Sequence, residues 1–347
     1  MPTVVLVRRA RVSLLVLALA GLASLAAAQP AAGSFSVTFV RGWGSLGTGN
    51  TQFSYAHNLA AIPGGAVFVA DEGNHRLQRF DAAGIYEGQW GGYGSAAGQF
   101  QSPGGLALNA AGTLLYVADR DNHRIQVFSP AGVFQRQWGG PGSGAGQFGR
   151  PSGVAVAADG SVYVADRDNQ RVQQFDANGA FVRQWGSAGA GQGQFADPMG
   201  IGVGADQNVY VSDAGHHRVQ YFSPLGVYLG QWGSAGNGAS QFGYDGPAGL
   251  RAAPSGHVFV ADPGNSRVQV FTAAGQFVGQ WGGYGQGAGQ FYFANGVALG
   301  AGETVYVADE INHRVQQFTV TLPGAAAPTP TPTLAHWLYL PAVVRFP

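Results

Sequence analysis

Four histidines, His75, His123, His217 and His313, recur along the chain, each directly before an arginine and a few residues after an aspartate. Imidazole and carboxylate are the donors of zinc and calcium sites, and convergent zinc ligands must meet within about 2.1 Å of one ion. The strings Asp119-Arg120-Asp121-Asn122 and Asp166-Arg167-Asp168-Asn169 have oxygen donors at calcium-loop spacing, yet lack the loop's glycine and bidentate glutamate. The run Gly139-Gly140-Pro141-Gly142-Ser143-Gly144-Ala145-Gly146 could cradle a phosphate only with a helix behind it, and usually a lysine. The chain has no lysine and no cysteine, which also removes thiolate zinc sites, redox pairs and thiol nucleophiles. The residues able to do chemistry are thus spread at a long, even period, and that period decides their role.

The period is a repeat. Segments opening at Phe68, Tyr116, Tyr163, Tyr210, Phe259 and Tyr306 are versions of one another, and their aspartates Asp71, Asp119, Asp166, Asp213, Asp262 and Asp309 recur every 47 to 49 residues. Within a period the apolar residues alternate. In the third, Val154 and Val156 precede the turn Ala157-Ala158-Asp159-Gly160, Val162 and Val164 follow it, Val172 and Phe175 come next, and Asp176-Ala177-Asn178-Gly179 leads into Phe181–Trp185. This pattern predicts four short strands joined by Gly, Asn and Asp turns, which repeated radially make propeller blades. Five repeats finish in Gln-Trp-Gly, at Trp90, Trp138, Trp185, Trp232 and Trp281, and the missing sixth strand stands at the N-terminal side as Phe39-Val40-Arg41-Gly42-Trp43-Gly44. The expected fold is all-β: a six-bladed β-propeller of four-stranded antiparallel blades, its ring closed by an N-terminal strand from about Phe35 to Trp43.

The string Asp-x-x-Asn-x-Arg-(Val/Ile/Leu)-Gln-x-Phe resembles the NHL repeat over nearly the whole chain. Asn74, Asn122, Asn169, Asn265 and Asn312 match the motif asparagine, with His216 in its place in the fourth repeat; Arg76, Arg124, Arg171, Arg218, Arg267 and Arg314 match in all six. The resemblance implies a six-bladed propeller. A residue present in every blade is expected to build the blade: Asp ends a strand, Asn takes the left-handed turn conformation, and Arg pairs with carboxylate or carbonyl groups. The four recurring histidines are expected at turn surfaces, far apart around the ring, so that no metal site and no cofactor is assigned.

Function then belongs where the repeats differ. The residues after each Gln-Phe pair lead into the innermost strand and are expected to rim the central channel: Ser54 to Asn58, Gln101 to Pro103, Gly149 to Pro151, Ala196 to Met199, Gly243 to Pro247 and Tyr292 to Asn295. Of these, Tyr55, His57, Arg150, Asp197, Tyr244, Asp245 and Tyr292 are the candidate ligand-binding residues, aromatic and charged groups that suit a peptide, a sugar or a protein surface. The expected function is an extracellular, non-catalytic binding or scaffold protein. The alternative is an exported lyase or hydrolase dependent on zinc or calcium, similar to the amidating-lyase propellers. It would need several converging histidines, whereas His57 is the rim's single one, with His216 and His257 as further possibilities. The RNA-binding and ubiquitin-ligase roles of NHL proteins fused to zinc-binding domains fit poorly with a chain that has no cysteine.

The ends point outward. Arg8, Arg9 and Arg11, the apolar Val12 to Ala23 and the small residues Ala26-Ala27-Ala28 read as an export signal over residues 1–28. The propeller is expected over 29–322, a Thr/Pro-rich linker over 323–333, and a short apolar tail over 334–347, too short to span a bilayer as a helix. The spacer and the Tyr-Leu-Pro that follows resemble C-terminal tails of exported proteins of Chloroflexus-like bacteria, which implies sorting or surface attachment. Secretion or cell-surface association is therefore expected, with membrane contact through the tail alone. Without the three signal arginines, 15 arginines face 18 acids, a net charge near −3 that gives nucleic acid little to bind. A monomer is expected.

Overall fold

Alternation of β-branched and aromatic residues with small ones produces strands here because both faces of every blade are covered by neighbouring blades. The computed structural model describes residues 34–323 apart from Glu303. The export signal and the apolar tail, with all of the linker except Pro323, lie outside these residues.

Six four-stranded antiparallel sheets stand in a ring. The third blade is typical: Pro151–Val156 is innermost, followed outward by Val162–Asp166, Arg171–Phe175 and Phe181–Trp185. Each innermost strand packs on those of its two neighbours, and the sixth, Ala294–Leu299, packs on the first, Ala56–Ala61, so the ring is closed. The sixth blade takes its outermost strand from the other end of the array. Ser36–Trp43 runs antiparallel to Arg314–Thr321, from Ser36 opposite Thr321 to Trp43 opposite Val315. The expected closure is therefore present, and it covers an edge that would otherwise be open to another chain.

The core lies between blades rather than inside one sheet. At the closing junction Ala298, Tyr306, Ala308 and Val315 of the sixth blade pack against Phe53, Leu59, Val67 and Phe80 of the first. The phenylalanine of every Gln-Phe pair, from Phe53 to Phe291, is fully buried in such a junction.

The repeated polar residues form a clamp. Asp166, fully buried, accepts from Arg171 Nε at 2.7 Å, Asn169 Nδ2 at 2.9 Å, Gln173 Nε2 at 3.0 Å and the backbone N–H of Gly149 at 2.7 Å. Arg171 spends its other donors on the carbonyls of Ser143, Gly144 and Gln147 in the incoming crossover and on Gln184 Oε1 of the outermost strand. All of its guanidinium N–H groups are thus used. In the fourth blade His216 replaces the asparagine, and its Nδ1 lies 3.0 Å from Asp213 Oδ2.

One expectation is corrected. The left-handed residue of the motif turn is the one after the asparagine: His75, His123, Gln170, His217, Ser266 and His313 all have φ between 47° and 53°. The asparagine side chain is held instead by the aspartate and by a crossover carbonyl, as in Asn169 Nδ2 to Gly142 O at 2.9 Å. In four blades this turn is a single turn of 3-10 helix, such as Glu72–Asn74.

Candidate functional site

The residues following each Gln-Phe pair and the motif turns meet on one face of the ring. Backbone N–H groups of the turns donate to carbonyls of those residues: Glu72 to Tyr55 at 3.1 Å, Asp121 to Gln101 at 3.1 Å, Ala214 to Asp197 at 2.9 Å and Glu310 to Phe293 at 3.0 Å. The position directly after each motif aspartate is Glu72, Arg120, Arg167, Ala214, Pro263 and Glu310 in turn. Four charged groups therefore face two apolar ones around the mouth.

On the sixth, first and second blades these charges form a network. Glu72 pairs with Arg120 and lies 3.6 Å from His57 Nε2. Glu310 accepts from the buried Asn295 amide, and burial holds the Glu310 carboxyl above the usual range against the opposing pull of His57. His57 itself is buried, and its Nδ1 has no partner among the described residues. Arg150 is set further out, on Asp121 at 2.9 Å.

From the third to the sixth blade the mouth opens into a cleft of about 410 Å³. Arg167 grips Asp197 through two hydrogen bonds, 2.5 and 2.9 Å, in the fork geometry that favours arginine over lysine. Met199, His217, Tyr244 and Asp245 also line it, with Phe293 from the start of the sixth blade. Tyr244 is 93% exposed, and the exposed Asp245 carboxylate has no hydrogen-bond or ion-pair partner among the described residues.

Of the seven rim residues expected from the sequence, Asp197, Tyr244 and Asp245 come together in this cleft. His57 and Arg150 belong to the charged side. Tyr55 stacks edge-on against His313 at 5.4 Å and Tyr292 against Tyr284 at 5.1 Å, both outside the cleft lining. Sequence reasoning missed Glu72, Arg120, Arg167 and Glu310. The signal was available: an invariant aspartate followed by a residue that changes charge from blade to blade.

A second cavity, about 470 Å³, opens between the fifth and sixth blades beside His257, Phe259, Leu299, Val305 and Leu322. Its described lining carries no Asp, Glu, Lys or Arg, and burial holds His257 below its ordinary pKa. His257 starts the strand His257–Asp262, whose far end is at the mouth, roughly 17 Å away at about 3.3 Å per residue.

The histidines do not converge. His75, His123 and His313 each accept at Nδ1 from the backbone N–H of Ser102, Arg150 and Tyr55 in the next blade, at 3.1 to 3.2 Å, and His217 Nδ1 contacts Gly243 O at 2.8 Å. Among the described residues no group of three or more His, Asp or Glu side chains is placed to hold a metal ion. The donor set therefore does not fit zinc or calcium, and no step through a metal is derived.

The NHL repeat model matches the chain six times, over residues 53–80, 100–128, 148–175, 195–222, 244–271 and 291–318. RING finger protein nhl-1 of Caenorhabditis elegans is 42% identical over 65 residues, 19% of this chain and 7% of that protein, so the chain spans a small part of that relative. A structural-genomics protein from Bacteroides thetaiotaomicron VPI-5482 superposes with a TM-score of 0.65 at 16% identity, over 83% of this chain and 76% of that one. Virginiamycin B lyase from Staphylococcus aureus does so with a TM-score of 0.56 at 14% identity, over 83% of this chain and 100% of that one. At such identities the likeness is one of fold. With six matched repeats and six matching blades, the chain belongs to the NHL-repeat family and is a six-bladed β-propeller.

Proposed function

We propose that this protein is an extracellular, non-catalytic binding module that takes a short peptide, through a cationic group, in the cleft that runs from its third to its sixth blade. The observation that carries the proposal is Asp245. Its carboxylate stands exposed and unpartnered beside Tyr244, while the other acid of the cleft, Asp197, is neutralised by Arg167. An ammonium or guanidinium group fits an unpaired carboxylate next to an aromatic face. Met199 and Phe293 offer apolar surface to the rest of the peptide, and the thioether adapts to irregular shapes. The export-like N-terminal segment supports the extracellular setting.

A peptide array followed by calorimetry tests this reading. Asp245→Asn should weaken the best binder at least tenfold, about 1.4 kcal/mol, with the melting temperature unchanged. Equal affinity in that variant, or selection of neutral glycans alone, contradicts it.

The catalytic alternative, a lyase or hydrolase, has one observation in its favour: Glu310, its pKa raised by burial, near His57 at the mouth. Perturbed carboxyl groups gather at catalytic sites, although structural networks perturb them too. Under this alternative Glu310→Gln abolishes a measurable turnover; under the binding reading it leaves peptide affinity as it was.

A further inference from the structure

The innermost strands carry one exception to their own repeat. The residue paired with the aromatic that opens the second strand is Ala60 opposite Phe68, Ala107 opposite Tyr116, Ala155 opposite Tyr163, Gly202 opposite Tyr210 and Ala298 opposite Tyr306. In the fifth blade it is Arg251, opposite Phe259. Five small residues and one arginine therefore occupy equivalent places around the ring.

The arginine reaches across the lumen. Its Nη2 donates to the carbonyl oxygen of Leu106 at 3.2 Å, and Leu106 lies on the innermost strand of the second blade, which stands opposite the fifth in a ring of six. That is the side chain's one hydrogen bond among the described residues, and it leaves four of five N–H donors without a protein acceptor. No carboxylate among the described residues forms an ion pair with it. Burial lowers its pKa and no neighbouring charge opposes that effect. A guanidinium nevertheless stays protonated in proteins, and none of the Arg251 nitrogens is among the buried partnerless atoms, so solvent and small ions reach it.

We propose that the lumen of the ring binds a small inorganic anion of the halide class against the Arg251 guanidinium. Arg251 is only partly buried, so water-sized room remains beside it, and neither the mouth cleft nor the apolar cavity includes it. The equivalent alanines pack in the cores between blades, so Arg251 is the one of the six that extends a charge from this position. The bound ion pairs with a half-buried cation that has no carboxylate partner among the described residues, and it ties the fifth blade to the second across the channel. This inference does not depend on the peptide cleft.

The test uses the purified protein in bromide against isethionate at constant ionic strength. The expected result is a saturable rise in melting temperature with bromide, because an ion that binds the folded state alone stabilises it by mass action. The rise should vanish in Arg251→Gln and return in part in Arg251→Lys. Crystals of the unmodified protein soaked in bromide should give an anomalous peak within hydrogen-bond reach of the guanidinium, a measurement that stands even if Arg251→Gln does not fold. A bromide response in Arg251→Gln equal to that of the unmodified protein, or no such peak beside an ordered Arg251, overturns the proposal.

Discussion

The Nδ1 of His313 accepts a 3.2 Å hydrogen bond from the backbone N–H of Tyr55, tying the last motif turn to the start of the first blade. The same tie joins His75 to Ser102 and His123 to Arg150, so a slot that varies in sequence serves as a latch between neighbours. Accepting at Nδ1 requires that nitrogen to be unprotonated, which fixes the neutral ring with its proton on Nε2.

A pH dependence follows, with a definite sign. Burial holds His313 and His257 below the ordinary histidine value of about 6.5, outweighing the nearby Asp71 and Asp309 in the case of His313. The unfolded chain therefore takes up protons first as pH falls, so this stability is complete above about pH 6.5 and is lost as pH drops through the folded values. Glu310 acts in the opposite sense: its raised pKa favours the folded state at low pH, and that contribution is lost as pH rises through its folded value. In thermal melts from pH 8 down to pH 5, the midpoint of the parent should change less favourably than that of His313→Gln, which lacks this histidine's contribution. Glutamine is a fair replacement because Gln170 holds the same left-handed slot at φ 47°. The same pH dependence in that variant as in the parent contradicts the latch.

The buried clamp gives a larger effect. Removing the guanidinium in Arg171→Met leaves Asp166 fully buried without its cation, which should cost about 3–5 kcal/mol. Arg171→Lys should recover little, since a point charge cannot serve three crossover carbonyls, Gln184 and Asp166 together. Urea unfolding midpoints measure both variants. A midpoint within experimental error of the parent for either one contradicts the clamp.

The fold was legible because its code is repeated six times. Asp166, Arg171 and Trp185 each have counterparts at a fixed spacing, and Trp43 without a motif before it marks the closing strand. The site was only half legible. Tyr244, Asp245 and Asp197 were reached by asking which residues follow the Gln-Phe pair, yet whether Tyr55 joins them depends on its contact with His313, a residue 258 positions away. Arg167 and Glu310 were overlooked because they sit inside the motif, next to residues that build the scaffold. Arg251 was legible in principle as one arginine among alanines, once strand register had aligned them.

The outer turns rest on tryptophan. A Cβ on Gly179 would come within 2.6 Å of the Trp138 ring of the preceding blade, and Gly179 has φ +92°. Gly84, Gly132, Gly226 and Gly275 stand in the same relation to Trp43, Trp90, Trp185 and Trp232. Gly179→Val should therefore destabilise by about 2 kcal/mol or more, combining overpacking with an unfavourable backbone angle. Trp138→Phe should cost less than a cavity-forming change to alanine, because the indole N–H has no partner to lose among the described residues. Equal losses in Trp138→Phe and Trp138→Ala would contradict that ranking.

Closure is testable by removal. A chain beginning at Ser45 lacks the strand Ser36–Trp43 and leaves Arg314–Thr321 as an open edge. It should melt earlier and self-associate through that edge, visible as larger species in light scattering. A monomer with the parent's melting temperature would contradict the closing role.

The binding reading is tested most directly by a crystal structure of the protein with its best array-selected peptide. The account predicts density in the cleft lined by Arg167, Asp197 and Tyr244, with a cationic group of the peptide against Asp245. Ordered peptide elsewhere on the ring, with this cleft holding solvent alone, would contradict it.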